Sequence, residues 1–405
     1  MISYYCMIPQ KYPIVNRIYK FHQLSSIIIL DKIKTQVYNL KKKQTLGVTY
    51  MNKEWSEMNA EMQGLIKKES TFKNGIGKLI ELRNSLFEQI TQIVNSYPEK
   101  AFSEMPFAGA DGYHSKTLAY SIWHIFRIED IVMHTLIVND EQIFFANGFD
   151  KRTHSSIITT GNELQGEAIA EFSQKLDISH LYEYAKAVML STNDILLNME
   201  FSQTKRKFNE EDRKRVADSG CVSDDENAVW LIDYWCGKDI RGLIKMPFSR
   251  HWIMHIEAML RIKNKLCKLV RKGTDPVAYC GFSCNHCFLS EWCGGCRTEY
   301  NVCSFATCSP DKKCPNVTCC TEKGIDGCYE CTDIESCHKG FYIEGNDGAN
   351  AAKAQAMFIH KYGKKAFLKV HNKLHEKYNF SKTQEILGQD MHEGLKLLEN
   401  TYSDR

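Results

Sequence analysis

Thirteen of the chain's 17 cysteines fall between Cys280 and Cys337. No other feature constrains the fold as strongly. A stretch punctuated this often has little to bury, so cross-links must hold it. In an exported chain those links would be disulfides. Met1 to Asn16 lacks the basic end, apolar stretch and small-residue cleavage site of a secretory leader, which favours metal ligation in a reducing cytoplasm.

The spacing supports ligation. It runs Cys280-x3-Cys284-x2-Cys287-x5-Cys293-x2-Cys296, then Cys303, Cys308, Cys314, Cys319 and Cys320, then Cys328-x2-Cys331-x5-Cys337. A C-x-x-C turn aims two thiolates at one ion, and two such turns complete a tetrahedral shell. Gly294 and Gly295 relieve the turn between Cys293 and Cys296. With His286 and His338 the set could fill two or three four-ligand zinc sites, and the grouping stays open. The ferredoxin run C-x-x-C-x-x-C-x-x-x-C-P is absent, which places an iron–sulfur cluster behind structural zinc.

The rest of the chain reads differently. Residues 1–50 hold eight Lys/Arg against Asp31 alone, +7, so the overall +3 leaves −4 for the remainder. The basic excess is confined to this tail, which argues against nucleic acid as a partner. The tail has no sustained amphipathic period, and Leu46-Gly47-Val48 can be encoded by a purine-rich ribosome-binding sequence shortly before Met51. Residues 1–50 are therefore expected to be a flexible, disordered basic extension or a gene-start error. No run of about 18 apolar residues exists to span a membrane.

From Met51 to about Lys272 the period is helical. Ile76, Leu79, Arg83, Phe87, Ile90 and Val94 share one face, with Pro98 beyond the stop. Further helices are expected from about Ser115 to Val138, Ile178 to Met199, and Pro247 to Gly273. The charged stretch Thr204–Asn227 reads as a solvated loop or surface helix. The predicted architecture is mainly α: an up-and-down four-helix bundle at 51–273, a small cysteine-rich metal-stapled domain at 277–340, and closing helices at 341–405. Two closing helices are expected, Gly348–Tyr378 and Lys382–Tyr402.

His251-x-x-x-His255 stacks two imidazoles on one helix face, the spacing by which a helix gives one metal two ligands. The row continues through Met259, Ile262, Leu266 and Leu269, so the pair points into the bundle and must be satisfied by metal or hydrogen bonds. His124 lies in line with Ile128 and Ile131 and also faces inward. His134 lies elsewhere around that helix, and His114 sits at its start. The expected metal site is His124, His251 and His255, with at least one position open.

Trp123-His124 in the second helix and His251-x-x-x-His255 in the last make residues 51–272 resemble the DinB-like superfamily of bacterial four-helix proteins. That superfamily includes thiol S-transferases that use bacillithiol or mycothiol. The resemblance implies that these three histidines bind a divalent metal, zinc or nickel. The insertion at 204–227 departs from the simple pattern. A second resemblance, over about 277–375, is to bacterial cysteine-rich domains of unknown function presumed to bind zinc. It rests on Tyr279-Cys280-Gly281-x-x-Cys284-x-x-Cys287, Cys293-Gly294-Gly295-Cys296, Lys323-Gly324-Ile325-x-x-Cys328-x-x-Cys331 and the helix from Ala351 to Gly363.

Two functions remain open at this level. One is a metal-dependent enzyme, a transferase of a low-molecular-weight thiol or a hydrolase, acting at the histidine site. The other is a non-catalytic module that senses metal or redox state or docks a partner. The catalytic residues are unknown; Glu129, Asp233 and Tyr234 are the possible proton partners. A small-molecule ligand is expected, and a homodimer is compatible.

Overall fold

The computed structural model describes residues 49–110, 112–287, 290, 293–301, 314–343 and 345–404. Cys303, Cys308 and the basic extension up to residue 48 lie outside them. The chain is mainly helical. Among the described residues no strand forms, only isolated bridges at Lys207–Asp239 and Val277–Ser283. Nor is any helix there long and apolar enough to cross a membrane.

Helix α1 (Thr49–Leu65) is followed by α2 (Glu69–Ser96), and Trp55 of the first donates its indole N–H to Ser85 of the second at 3.0 Å. Gly75 permits the close turn, because a Cβ there would lie 2.6 Å from Ile66 Cγ2. Along α2, Phe72, Ile76, Leu79, Arg83, Phe87 and Ile90 are all buried, as their spacing requires. Helix α3 (Leu118–Asp130) starts where the Thr117 hydroxyl accepts a 3.0 Å bond from the Tyr120 amide. It continues as a wider π-helix through Ile131–Val138. Helix α4 (Glu167–Lys175) packs on α3, and α5 (Ile178–Asn198) follows.

The stretch expected to be solvated is only partly so. It contains α6 (Glu210–Asp218), which packs on the π-helical segment and on α7 (Trp230–Cys236) and buries Val216. Two of its arginines are capping groups. Arg206 donates to the Ile137 carbonyl at 2.8 Å, and Arg215 to those of Thr135 at 2.8 Å and Leu136 at 3.3 Å. Those carbonyls end a helix and have no partner within it, so cations there satisfy both hydrogen bonding and the helix dipole.

A π-helical turn at Met246–Arg250, with Pro247 in its first positions, leads into α8 (His251–Val270). The row His251, His255, Met259, Ile262 and Leu266 is buried, while Leu269 at the helix end is 48% exposed. Helices α2, α5, α3 and α8 pack in a closed ring, each against two of the others.

A polar knot joins all four. Arg83 on α2 donates to both oxygens of Glu129 on α3, at 2.6 and 2.8 Å, and to Asn193 of α5 at 2.7 Å. Trp252 on α8 donates its indole N–H to the same carboxylate at 2.8 Å, and the Phe248 carbonyl accepts from Arg83 at 3.1 Å. The Arg83 and Glu129 side chains are wholly buried. Each group has only one register in which its partners meet, so the knot sets how the four helices align.

Among its described residues the cysteine-rich segment contributes α9 (Pro315–Lys323) and two 3-10 turns, Cys328–Glu330 and Gly340–Tyr342, which pack on α10 (Asp347–Lys377). Five alanines of α10, Ala349, Ala351, Ala352, Ala354 and Ala356, are buried. They let the backbone of Gly281 approach so closely that a Cβ there would stand 3.1 Å from the Ala352 carbonyl oxygen. Gly363 breaks α10 with a φ of 79°. The second closing helix divides into α11 (Phe380–Gly388) and α12 (Met391–Ser403). Asp390 begins the latter by accepting from the His392 and Glu393 amides, a capping signal inside an otherwise continuous helical period.

Candidate metal centre

His251 and His255 lie on successive turns of α8, and His124 meets them from α3. All three are buried, and one nitrogen from each ring lies within 4.8 Å of the others. Ring centroids are 4.5 Å apart for His251 and His255, 4.7 Å for His124 and His255, and 5.1 Å for His124 and His251.

The hydrogen bonding is uneven in a telling way. His124 Nδ1 donates to the Thr160 carbonyl at 2.9 Å, which turns the Nε2 lone pair toward the other two rings. Neither nitrogen of His255 has a partner, nor does His251 Nδ1, although these atoms are shut from solvent. Orphaned buried imidazole nitrogens cost stability unless something fills them. His134 is the contrast on the same helix: its Nδ1 meets Asp140 at 2.8 Å and its Nε2 meets Ser191 at 3.1 Å. His114 lies outside the group and accepts from Arg261 at 3.0 Å.

Burial holds the three rings neutral. It pulls His124 down to about 4, against a weaker opposing effect of the Thr160 bond. It takes His251 and His255 well below the ordinary histidine range, and the neighbouring rings push the same way. Neutral imidazole is the form that ligates a metal. The donor set, its burial and its unpartnered nitrogens therefore fit a divalent ion.

No family model, curated protein or solved structure matches the chain.

Around the histidines, α3 works as a clamp. Tyr120 donates to the Gly161 carbonyl at 2.9 Å and Trp123 to that of Thr159 at 3.1 Å, so with His124 three side chains hold the 159–161 backbone. Tyr120 stacks on His124 at 5.6 Å, and Tyr113, 40% exposed, stands edge-on to His255 at 4.8 Å. Lys116, its ammonium pulled down by burial, sits 4.9 Å above the Tyr120 ring and adds positive charge near His124 and His255. The helical spacing of Tyr120 and His124, four apart, was a signal for that neighbour. Nothing in the sequence marks Thr160, because it acts through its main chain.

The three groups considered as proton partners lie elsewhere. Glu129 is used up in the four-helix knot. Asp233 is exposed and paired with Arg213, and Tyr234 packs against Trp230 at 5.8 Å.

The described candidate ligands of the cysteine-rich segment, Cys280, Cys284, Cys287, Cys293, Cys296, Cys314, Cys319, Cys320, Cys328, Cys331 and Cys337, are thiols rather than disulfides. Among the described residues no three of them gather into a group like that of the histidines. Cys320 and Cys328 approach to 3.7 Å, and Asn316 donates to Cys328 Sγ at 3.5 Å. The hydrogen bond from Cys320 favours the thiolate of Cys328. Burial raises Cys284 and Cys296 to about 12, with other cysteines adding to it: Cys287 and Cys293 for the first, Cys284 and Cys314 for the second. Such thiols ionise at neutral pH only against a cation. His338 is exposed, whereas His286 turns to α10.

The neutral histidines make the metal-free protein sensitive to acid. A folded-state value of about 4 for His124, below its ordinary 6.5, means that the unfolded chain takes up the proton first. The stabilising contribution is complete above pH 6.5 and is lost as pH falls through 4. At about 1.4 kcal/mol per pKa unit, His124 alone accounts for up to about 3 kcal/mol. Urea midpoints of metal-free protein should be level from pH 8 to 7 and fall below pH 6.5. A level profile down to pH 4 would show that the rings are not buried in neutral form.

Proposed function

We propose that the protein is a DinB-like metalloprotein in which His124, His251 and His255 of an up-and-down four-helix bundle hold one divalent ion, zinc or nickel, and in which cysteines of residues 277–340 hold structural zinc. The observation that carries this reading is the set of orphaned, buried nitrogens on His251 and His255. The activity we assign is transfer of a low-molecular-weight thiol to an electrophile. When bound, the ion would lower the pKa of a thiol ligand and supply a nucleophile at neutral pH.

The chain's own groups suit that chemistry. The Thr160 carbonyl fixes the tautomer of His124, so its Nε2 is always the ligating atom. The three ligands are neutral and no carboxylate belongs to the group. A divalent charge there stays uncompensated, and Lys116 adds to it. Such a site favours an anionic occupant, as a thiolate is. Tyr113, edge-on to His255 and partly exposed, stands between that ring and solvent.

The test is an assay of the metal-loaded full chain with bacillithiol, glutathione or cysteine and a model electrophile. Saturable turnover is expected, absent from metal-free protein, with a raised KM for the thiol in Lys116→Met. No rate above the metal-free protein with any thiol would leave a non-catalytic metal or redox module. Hydrolysis that ignores thiols would keep the centre and replace the reaction.

A further inference from the structure

The spacing His-x-x-x-His occurs a second time. His371 and His375 stand on successive turns of α10, as His251 and His255 do on α8. The resemblance goes beyond spacing. His371 is 1% exposed and neither of its ring nitrogens has a hydrogen-bond partner. His375 engages the main chain of Tyr378, and its buried Nε2 is likewise unpartnered. A third ring arrives from the cysteine-rich loop: His286, between Cys284 and Cys287. Ring centroids are 4.2 Å apart for His286 and His375, 4.5 Å for His371 and His375, and 5.3 Å for His286 and His371.

We propose that His286, His371 and His375 form a second divalent-metal site, which pins the cysteine-rich loop to α10. Burying an imidazole with both nitrogens empty costs free energy, and a bound ion is what relieves it for two neighbouring rings at once. His286 donates from Nε2 to the Asn372 side-chain oxygen at 2.7 Å. That bond leaves Nδ1 as its ligating atom and holds the ring beside the pair, the arrangement by which an outer partner fixes a ligand's tautomer. His286 lies flat on His375, with an interplanar angle of 6°, so the three nitrogens are spread more widely than in the bundle centre. Closure onto a metal therefore requires the His286 ring to turn. Its loop is irregular and its side chain half-buried, so the turn displaces no packed core. An all-imidazole donor set suits zinc, nickel, cobalt or copper rather than magnesium or calcium.

This site makes no demand on the bundle centre, and the two can be tested separately. Full-length protein is dialysed against cobalt(II) chloride and its bound cobalt counted, for wild type and three variants: His286→Ala, His371→Asn with His375→Asn, and His251→Ala with His255→Ala. The His286 change is in a half-exposed loop and reports on the site without emptying the core. His286→Ala and the α10 double variant should each lose one equivalent of cobalt relative to wild type and keep the equivalent that the α8 double variant lacks. His286→Ala should also release the loop, read as faster amide exchange at residues 284–287. A His286→Ala protein that retains the wild-type cobalt count and exchange rate overturns the proposal, whatever the bundle variants show.

Discussion

Replacing His255 by alanine is expected to weaken divalent-metal binding at the bundle centre by more than about 100-fold, the upper end of what loss of an outer-shell partner alone costs. Thiol transfer should be lost with it, while helical content is unchanged. The helix does not depend on that ring, since Ile256, Met259 and Ile262 continue to pack α8. Stability should move in the opposite direction when the metal is removed. In the metal-free protein both nitrogens of His255 are buried without partners. His255→Leu puts an apolar group of similar bulk in their place, which should stabilise the metal-free fold by about 1–3 kcal/mol. Urea unfolding with and without a saturating metal would show the crossing. If His255→Leu destabilises both forms alike, the ring has a packing role and the centre does not bind a metal.

The second large effect belongs to the four-helix knot. Glu129→Ala leaves the Arg83 guanidinium buried with only the Asn193 and Phe248 oxygens, and removes the acceptor of the Trp252 indole. Breaking a buried pair by removing one partner costs about 3–5 kcal/mol. The double change Arg83→Met with Glu129→Leu removes both charges and should recover most of that loss. Urea denaturation of wild type, Arg83→Met, Glu129→Leu and their double variant closes a double-mutant cycle that measures the coupling. A Glu129→Ala cost below about 1 kcal/mol would mean that the pair is reached by water. The double variant carries a further expectation: with the ion pair that sets register gone, the histidines of α3 and α8 are less strictly aligned and metal affinity should fall even though stability returns.

The sequence by itself determined the long helices α2, α3, α5, α8 and α10 and the inward faces of the histidines. Periodicity follows from local backbone geometry, so the buried rows of α2 and α8 were legible without knowledge of any neighbour. His251-x-x-x-His255 was legible for the same reason, because two ligands on one helix need only the turn of that helix. What depended on chain folding could not be read this way. Arg83 and Glu129 are 46 residues apart and meet only because α2 and α3 face each other across the ring that α5 and α8 complete. The spacing of Arg83 put it on the apolar face without saying what would satisfy it. Arg206 and Arg215 looked like solvated charge until the end of the π-helical segment after α3 gave them carbonyls to cap. The division between α11 and α12 turned on Asp390, whose side chain competed with the helix for amide donors. His371 and His375 share the spacing that exposed the bundle pair, yet their third ring comes from a loop 85 residues away, with His286. Local order is written in the period of the chain. Which polar groups become partners is decided by tertiary packing, since a buried donor or acceptor takes whatever partner the fold brings within about 3 Å.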